Sequence, residues 1–126
     1  MNKILLFFIL SFCLPVHAEW SKPYTLGKKD SIKTYIDLAS FYKSDDGNTI
    51  RYWMKKNYPS PDKGALSAEG VIEVNCKRNE YTILLFSSYS KIDLQGNTLY
   101  EEMPDLTFPI EDWSAEAAVK ESWCVL

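Results

Sequence analysis

Cysteine and histidine offer the most varied side-chain chemistry in this chain, which has three cysteines and one histidine. Thiols form disulfides or bind metals, and imidazole transfers protons near neutral pH. Cys13 and His17 lie in an N-terminal stretch that is predicted to be removed on export. The remaining pair, Cys76 and Cys124, is predicted to form a disulfide in an oxidising compartment.

Residues Met1–Ala18 have the pattern of a secretory signal peptide. Lys3 gives a basic start, an apolar stretch covers residues 4–14, and the small Ala18 precedes the predicted cleavage site. The apolar stretch is too short for a permanent transmembrane helix. We therefore expect an exported mature domain, residues 19–126, that is periplasmic, secreted or outer-membrane associated and has no membrane span.

The residue types of the predicted mature chain argue against catalysis and metal binding. Without histidine, the usual serine and cysteine nucleophiles lack their base, and two cysteines are too few for a structural zinc site. Asp45–Asn48 is similar to part of a calcium loop, but Trp53 stands where that loop needs glutamate. We expect no cofactor, no metal and no enzymatic activity, and we leave a serine–lysine hydrolase open as the catalytic alternative.

The charge pattern favours a protein partner over nucleic acid. The net charge at pH 7 is −3, whereas nucleic-acid binding needs a concentrated basic face. Arg51, Trp53 and Lys55 share one strand face, where cation–π stacking is possible, and Lys77 and Arg78 lie at a strand end. These five are the candidate partner-binding residues, because Trp and Arg dominate interface energies. We prefer the structural alternatives, which are packing of Trp53 beneath a helix and a solvated turn at Lys77 and Arg78.

Alternating and aromatic-rich stretches predict strands separated by turns. Ile72, Val74 and Cys76 share one parity, which places Cys76 on the core side of its strand. The apolar residues 83–86 suit a central strand, and loops are predicted over residues 57–70 and 103–113. The predicted strands are Thr34–Tyr42, Thr49–Lys56, Val71–Lys77, Tyr81–Tyr89 and Thr98–Glu101.

The C-terminal residues predict a helix that packs on the sheet. Ser114 is a favourable N-cap, and Glu116 in the first turn complements the helix dipole. Cys124 lies beside the apolar side of this helix, so packing would bring it toward Cys76. The small and apolar residues at helical spacing are Ala115, Ala118, Val119, Ser122, Trp123 and Leu126.

Several segments together point to one bacterial family: Trp20, Tyr35–Ser40, Arg51–Trp53, Val74–Lys77 and Cys124. With its export signal, the chain resembles the surface-adhesin protein E family of Gram-negative bacteria over nearly the whole predicted mature domain. The resemblance implies an α+β fold, with an antiparallel β-sheet of about six strands and a C-terminal α-helix packed on it and tethered by a disulfide. It also implies adhesion to host extracellular-matrix or serum proteins such as vitronectin and laminin.

The sequence departs from this family pattern in two places. The resemblance implies a lipid-anchored outer-membrane protein, whereas the bulky Phe12 makes Cys13 a poor lipidation site. Asn75, Asn79 and Glu80 also weaken the acidic-then-basic pattern around the first mature cysteine. The residues around Cys13 and Cys76 therefore match the family pattern less closely than the order of the segments does.

Two functions follow from these observations. The first is an exported, non-enzymatic, adhesin-like binding protein, a monomer or weak homodimer, that acts through surface aromatic and charged residues. The alternative is a periplasmic inhibitor or accessory subunit that binds a bacterial envelope protein. A stoichiometric partner from the producing cell's own envelope would favour the second function.

Overall fold

The computed structural model describes residues 18–25 and 31–124. The predicted signal peptide up to residue 17, which includes Cys13 and His17, lies outside the described residues, and so does Leu126 at the end of the predicted helix. Within the described ranges, no helix has the length and hydropathy needed to cross a membrane.

Seven antiparallel strands in the described part of the chain form one sheet: β1 Lys33–Ile36, β2 Tyr42–Lys43, β3 Thr49–Asp62, β4 Ala65–Asn75, β5 Glu80–Tyr89, β6 Thr98–Glu102 and β7 Leu106–Pro109. The strand order is β1-β3-β4-β5-β6, with β2 also paired to β3 and β7 also paired to β5. The helix α1, Ala115–Trp123, follows the last strand. These elements confirm the predicted α+β fold, its antiparallel sheet and its C-terminal helix.

The β3–β4 hairpin shows that the predicted loop over residues 57–70 is wrong. The two strands are separated only by Lys63 and Gly64. Both residues have positive φ, 51° and 85°, which is the geometry of two-residue hairpin turns that match the strand twist. The prolines at positions 59 and 61 lie where the β3–β4 register shifts, and there a missing N–H removes no regular ladder bond.

Two further stretches differ from the prediction. The first predicted strand is broken between β1 and β2, where Asp37 Oδ1 accepts the N–H of Ala39 at 3.0 Å and Ser40 Oγ donates to the Asp37 carbonyl at 2.8 Å. These side-chain bonds form a local turn that competes with strand pairing. The stretch over residues 103–113, predicted as irregular, contains β7, which is four residues long and too short to show a periodic pattern.

One face of the sheet packs against α1 and carries the core. Ile50, Tyr52 and Met54 alternate along β3 and are buried, as are Ile72 and Val74 on β4. This alternation confirms the predicted inward parity of the β4 residues. The buried cluster is completed by Ile36, Ile110, Ala115 and Val119.

Helix α1 begins as predicted, with Ser114 as its N-cap. Ser114 Oγ accepts the N–H of Ala117 at 3.1 Å and so satisfies one of the unpaired donors of the first turn. The buried side of the helix differs from the predicted stripe: Ala118 is half-buried and Ser122 is exposed, whereas Glu116 is buried. A carboxylate therefore lies among the groups that α1 turns toward the sheet.

A disulfide between Cys76 and Cys124 holds the end of α1 on the sheet, and it confirms the predicted pair. Their Cα atoms are 5.5 Å apart. Trp123 stacks on Phe41 with ring centres 4.1 Å apart, and Phe41 stacks on the buried Tyr52 at 5.3 Å. The last turn of the helix is thus fixed by a covalent bond and by an aromatic stack that reaches the core.

Replacing Cys124 with serine is expected to lower the melting temperature by on the order of 20 °C. The bond joins residues 48 positions apart, and the chain-entropy model assigns about 4 kcal/mol to closing a loop of that size. Thermal unfolding followed by circular dichroism measures the change. Reduced wild-type protein should melt with the variant, and a variant that melts with the oxidised wild type would contradict this role of the bond.

Candidate functional site

We use the term open face for the side of the sheet opposite α1. It carries Arg51, Trp53 and Lys55 of β3 and, directly beside them on β4, Glu73 and Glu69. Strand side chains alternate, so these residues point away from the core positions that lie between them. The structure therefore brings three of the five candidate partner-binding residues together on one face.

Trp53 is exposed on the open face, where it retains 38% of its accessible surface. Because it points away from α1, the preferred interpretation that Trp53 packs beneath the helix is wrong. Its backbone is well fixed: Trp53 N–H donates to Ser40 Oγ at 2.9 Å, and that hydroxyl donates to the carbonyl of Asp37 at 2.8 Å. A large aromatic side chain thus stands exposed on a rigid strand.

Lys55, by contrast, is only 9% exposed. Its Nζ lies 4.8 Å from the ring centre of Trp20, 4.7 Å from that of Tyr35 and 3.4 Å from Asp93 Oδ1. The cation–π stacking that the sequence allows is therefore realised with Trp20 and Tyr35. Enclosed in this way, the Lys55 ammonium ties the N-terminal segment and the 3₁₀ turn Ile92–Leu94 to β3.

A concavity of about 440 Å³ opens between Trp20 and Trp53 on the open face. Asp37, Ser40 and Glu69 also line it. Indole rings give it apolar walls, and the hydroxyl and carboxylates give it a few polar groups at fixed positions. This mixture is typical of surfaces that recognise another molecule.

Hydrogen bonds fix both carboxylates at the edge of this concavity. Asp37 Oδ1 accepts the backbone N–H of Glu19 at 2.9 Å and that of Ala39 at 3.0 Å. Glu69 Oε1 accepts the hydroxyl of Tyr89 at 2.6 Å, and this bond, with burial as a smaller cause, raises the pKa of Tyr89 to about 12. The Tyr89 hydroxyl therefore keeps its proton, and its hydrogen bond to Glu69, into alkaline solution.

The other charged candidates lie toward the far end of the sheet. Arg51 Nη2 is 2.8 Å from Glu73 Oε2 and remains exposed. Lys77 and Arg78 lie in the β4–β5 turn, where both backbone N–H groups donate to Asn75 Oδ1 at 2.9 Å. Their side chains are exposed at the end of the sheet, so the structure does not place these two residues at the concavity.

Sequence reasoning did not assign Trp20, Tyr35 and Asp93 to this surface. Trp20 is held there by an isolated bridge to Asp37, and Asp93 by a turn that folds back from β5; neither contact has a local signal in the sequence. Tyr35 does have a signal, because it lies directly opposite Lys55 in the β1–β3 register. An aromatic residue opposite a lysine on one face is a pattern that sequence analysis can use.

The described residues provide contacts for recognition. Within residues 18–25 and 31–124, no three side chains of cysteine, aspartate or glutamate lie close enough together to hold a metal ion. The open face offers exposed aromatic rings, an exposed guanidinium and fixed carboxylates. The expectations of no cofactor, no metal and no catalysis stay predictions.

The fold and the open face define a class of protein: a small α+β domain in which a disulfide tethers a helix to one side of an antiparallel sheet. The sequence model of surface-adhesin protein E matches residues 20–125. The chain therefore belongs to the surface-adhesin protein E family. This membership supports an adhesin-like surface protein.

Solved structures of Haemophilus influenzae protein E share this fold. Crystal form II gives a TM-score of 0.59 at 16% identity and covers 88% of this chain and 91% of that chain. A second structure gives 0.56 at 16% identity over 89% and 91%, and protein E from a non-typeable strain gives 0.53 at 16% over 88% and 78%. At this identity the likeness shows the fold. No curated protein sequence matches the chain significantly.

Asp93→Asn is expected to reduce the free energy of unfolding near neutral pH and to have little effect in strong acid. Asp93 Oδ1 accepts a hydrogen bond from Asn57 Nδ2 at 2.8 Å, and this bond, followed by Lys55, lowers the pKa of Asp93 below its ordinary value of 3.8. A carboxylate with a lowered folded-state pKa stabilises the fold above its unfolded pKa. That stabilisation is lost as the pH falls through the folded value.

Urea unfolding at about pH 7 and about pH 2 measures the difference between wild type and Asp93→Asn. Asparagine tolerates the positive φ of 56° at this position, so the variant changes the charge and not the backbone preference. Asp45→Asn, in an exposed turn, is the matched control. An effect of Asp93→Asn that is equally large at both pH values would contradict this account.

Proposed function

We propose that this protein is an exported, non-enzymatic, adhesin-like module that binds a protein partner with its open face. The observation that carries the proposal is Trp53, which is exposed beside a concavity on the side that α1 leaves uncovered. Membership of the surface-adhesin protein E family supports a role in recognition at the cell surface.

Trp53 and Arg51 have the properties of interface anchors. Tryptophan and arginine are enriched among the residues that dominate binding energies. Trp53 lies on a strand whose backbone is bonded to Ser40, so little conformational freedom is lost when a partner covers it. Arg51 uses Nε and Nη2 to bind Glu73, which leaves further N–H donors directed at the surrounding surface.

The other three candidate residues have different roles in this proposal. Lys55 is enclosed by two rings and a carboxylate, so it positions Trp20 at the edge of the concavity without touching the partner. Lys77 and Arg78 extend the contact surface toward the end of the sheet. Exposed charges at the edge of an interface mainly raise the association rate, and that effect weakens with added salt.

The proposed partner is a host extracellular-matrix or serum protein. Surface adhesion requires an outward-facing, pre-organised surface on a scaffold that survives outside the cell. The disulfide gives the scaffold that stability, and the ordered contacts around Trp53 give the pre-organisation.

Trp53→Ala is expected to weaken binding to immobilised vitronectin or laminin by about tenfold or more. Truncation removes the exposed indole, and it leaves the core on the other side of the sheet untouched. Biolayer interferometry with the oxidised protein measures the affinity. Met103→Ala is the control, because Met103 is 79% exposed and lies between β6 and β7, outside the concavity.

Equal losses in the Trp53 and Met103 variants would contradict the assignment of the site to the open face. A wild-type protein that binds no matrix or serum protein would contradict the proposed partner. If affinity capture from the producing cell's envelope then yielded a stoichiometric bacterial protein, the function would be that of a periplasmic inhibitor or accessory subunit.

Cleavage after Ala18 would strengthen the contact between Glu19 and Asp37. The Glu19 nitrogen donates to Asp37 Oδ1 at 2.9 Å, and after cleavage it would carry an α-ammonium charge. Asp37→Asn is therefore expected to lower the melting temperature more in the cleaved protein than in the same protein acetylated at Glu19. Thermal unfolding of the four forms measures this, and equal shifts in both backgrounds would argue against the ion pair.

A further inference from the structure

A second, smaller cavity lies on the helix side of the sheet, away from the open face. Its volume is about 170 Å³, and it lies between the N-terminal segment and the first turn of α1. A cavity of about 150 Å³ is enough to hold a molecule of the size of benzene. Its lining includes Tyr24, Tyr81, Trp113, Lys56, Glu111 and Glu116.

Glu116 is the most unusual group in this cavity. It is 9% exposed, and its carboxylate makes no hydrogen bond or ion pair with any of residues 18–25 and 31–124. Its oxygens are not among the fully buried polar atoms of the described residues, so they reach the cavity that Glu116 lines. The N-terminal end of α1 favours this negative charge, because Glu116 lies in the first helical turn. A cation in the cavity would pair with the carboxylate directly.

Tyr52 is a buried polar side chain in the core beside this cavity. It is 1% exposed, and its hydroxyl has no hydrogen-bond partner among the described residues. Burial is the main cause of the raised pKa of Tyr52, followed by the charge of Glu116 and then by Tyr81 and Tyr24. All three of these neighbours line the cavity, whereas Tyr52 itself does not.

Aromatic rings and net charge favour a positively charged occupant. Tyr24, Tyr81 and Trp113 are aromatic lining residues, and rings of this kind attract ammonium and guanidinium groups through their faces. Two carboxylates and one ammonium, that of Lys56, line the cavity, so its charge is negative. Lys56 forms no ion pair with Glu116 in the described structure.

We propose that this cavity binds an alkylammonium or alkylguanidinium group, with Glu116 as its counter-ion and Tyr24, Tyr81 and Trp113 as its aromatic walls. The group belongs either to a free small amine or to a lysine or arginine side chain of a protein. This site is separate from the open face and does not depend on the function proposed there.

Titration of the oxidised protein with butylammonium chloride tests the site directly. Nuclear magnetic resonance should show chemical-shift changes at the Trp113 indole and at the amides of the first turn of α1. Butylguanidinium should produce the same pattern, whereas butyrate, an anion with a chain of similar length, should not. Butyrate binding as tightly as butylammonium, or the absence of any shift with both cations, would overturn the proposal.

Glu116→Gln is expected to weaken butylammonium binding at least tenfold, because it removes the charge and keeps the shape. Glu121→Gln, on the exposed side of the same helix, is the matched control and should bind like the wild type. If Glu116→Gln does not fold, Trp113→Ala tests the aromatic wall and should weaken binding several-fold. A folded Glu116→Gln variant with wild-type affinity would overturn the proposal.

Two comparisons identify the source of the group. Binding of a lysine-containing tripeptide as tight as that of butylammonium indicates a protein side chain, whereas binding of the free amine alone indicates a small molecule; both results support the site. Lys28 and Lys29 lie outside the described residues. Replacing both with glutamine should leave butylammonium binding unchanged, and tighter binding by that variant would overturn the proposal in favour of an internal lysine.

Discussion

The disulfide between Cys76 and Cys124 is the constraint on which the rest of the structure depends. Helix α1 has nine residues, and an isolated helix of that length is not stable in water. Its few buried side chains cover the core side of the sheet. The covalent bond, together with the stacking of Trp123 on Phe41, holds this short helix against the core.

The two sides of the sheet differ in kind, because α1 covers one of them. The helix side is filled by apolar residues, with a small cavity at the start of α1. Among residues 18–25 and 31–124, no α-helix covers the open face, so its residues are stabilised by one another. Lys55, held by Trp20, Tyr35 and Asp93, is the clearest example, because it joins three separate segments of the chain across that face. The same contacts leave Trp53 exposed beside them.

Sequence patterns predicted the features that depend on local periodicity, such as inward-facing strand residues and the start of the helix. They did not predict the features that depend on contacts between residues distant in sequence. Alternation placed Ile72 and Val74 inward, and Ser114 marked the helix start. The prolines and glycines of residues 57–70 indicated a loop, because nothing in composition shows that the turn itself occupies only Lys63 and Gly64. Parity put Arg51, Trp53 and Lys55 on one face, yet it did not tell which face α1 would cover. The burial of Lys55 depends on Trp20, whose position in the fold has no local signal.

The two buried charged residues, Lys55 and Glu116, show that the partners of a charge indicate its role better than its exposure does. Lys55 and Glu116 are equally buried, at 9% exposure each. Lys55 has two aromatic rings and a carboxylate within reach, so its burial is compensated and its role is architectural. Glu116 has no such partner among the described residues, and the nearby Tyr52 hydroxyl has none either. Glu116 lines an open cavity, so its charge stays accessible to a cation, and the proposed site depends on this difference between the two residues.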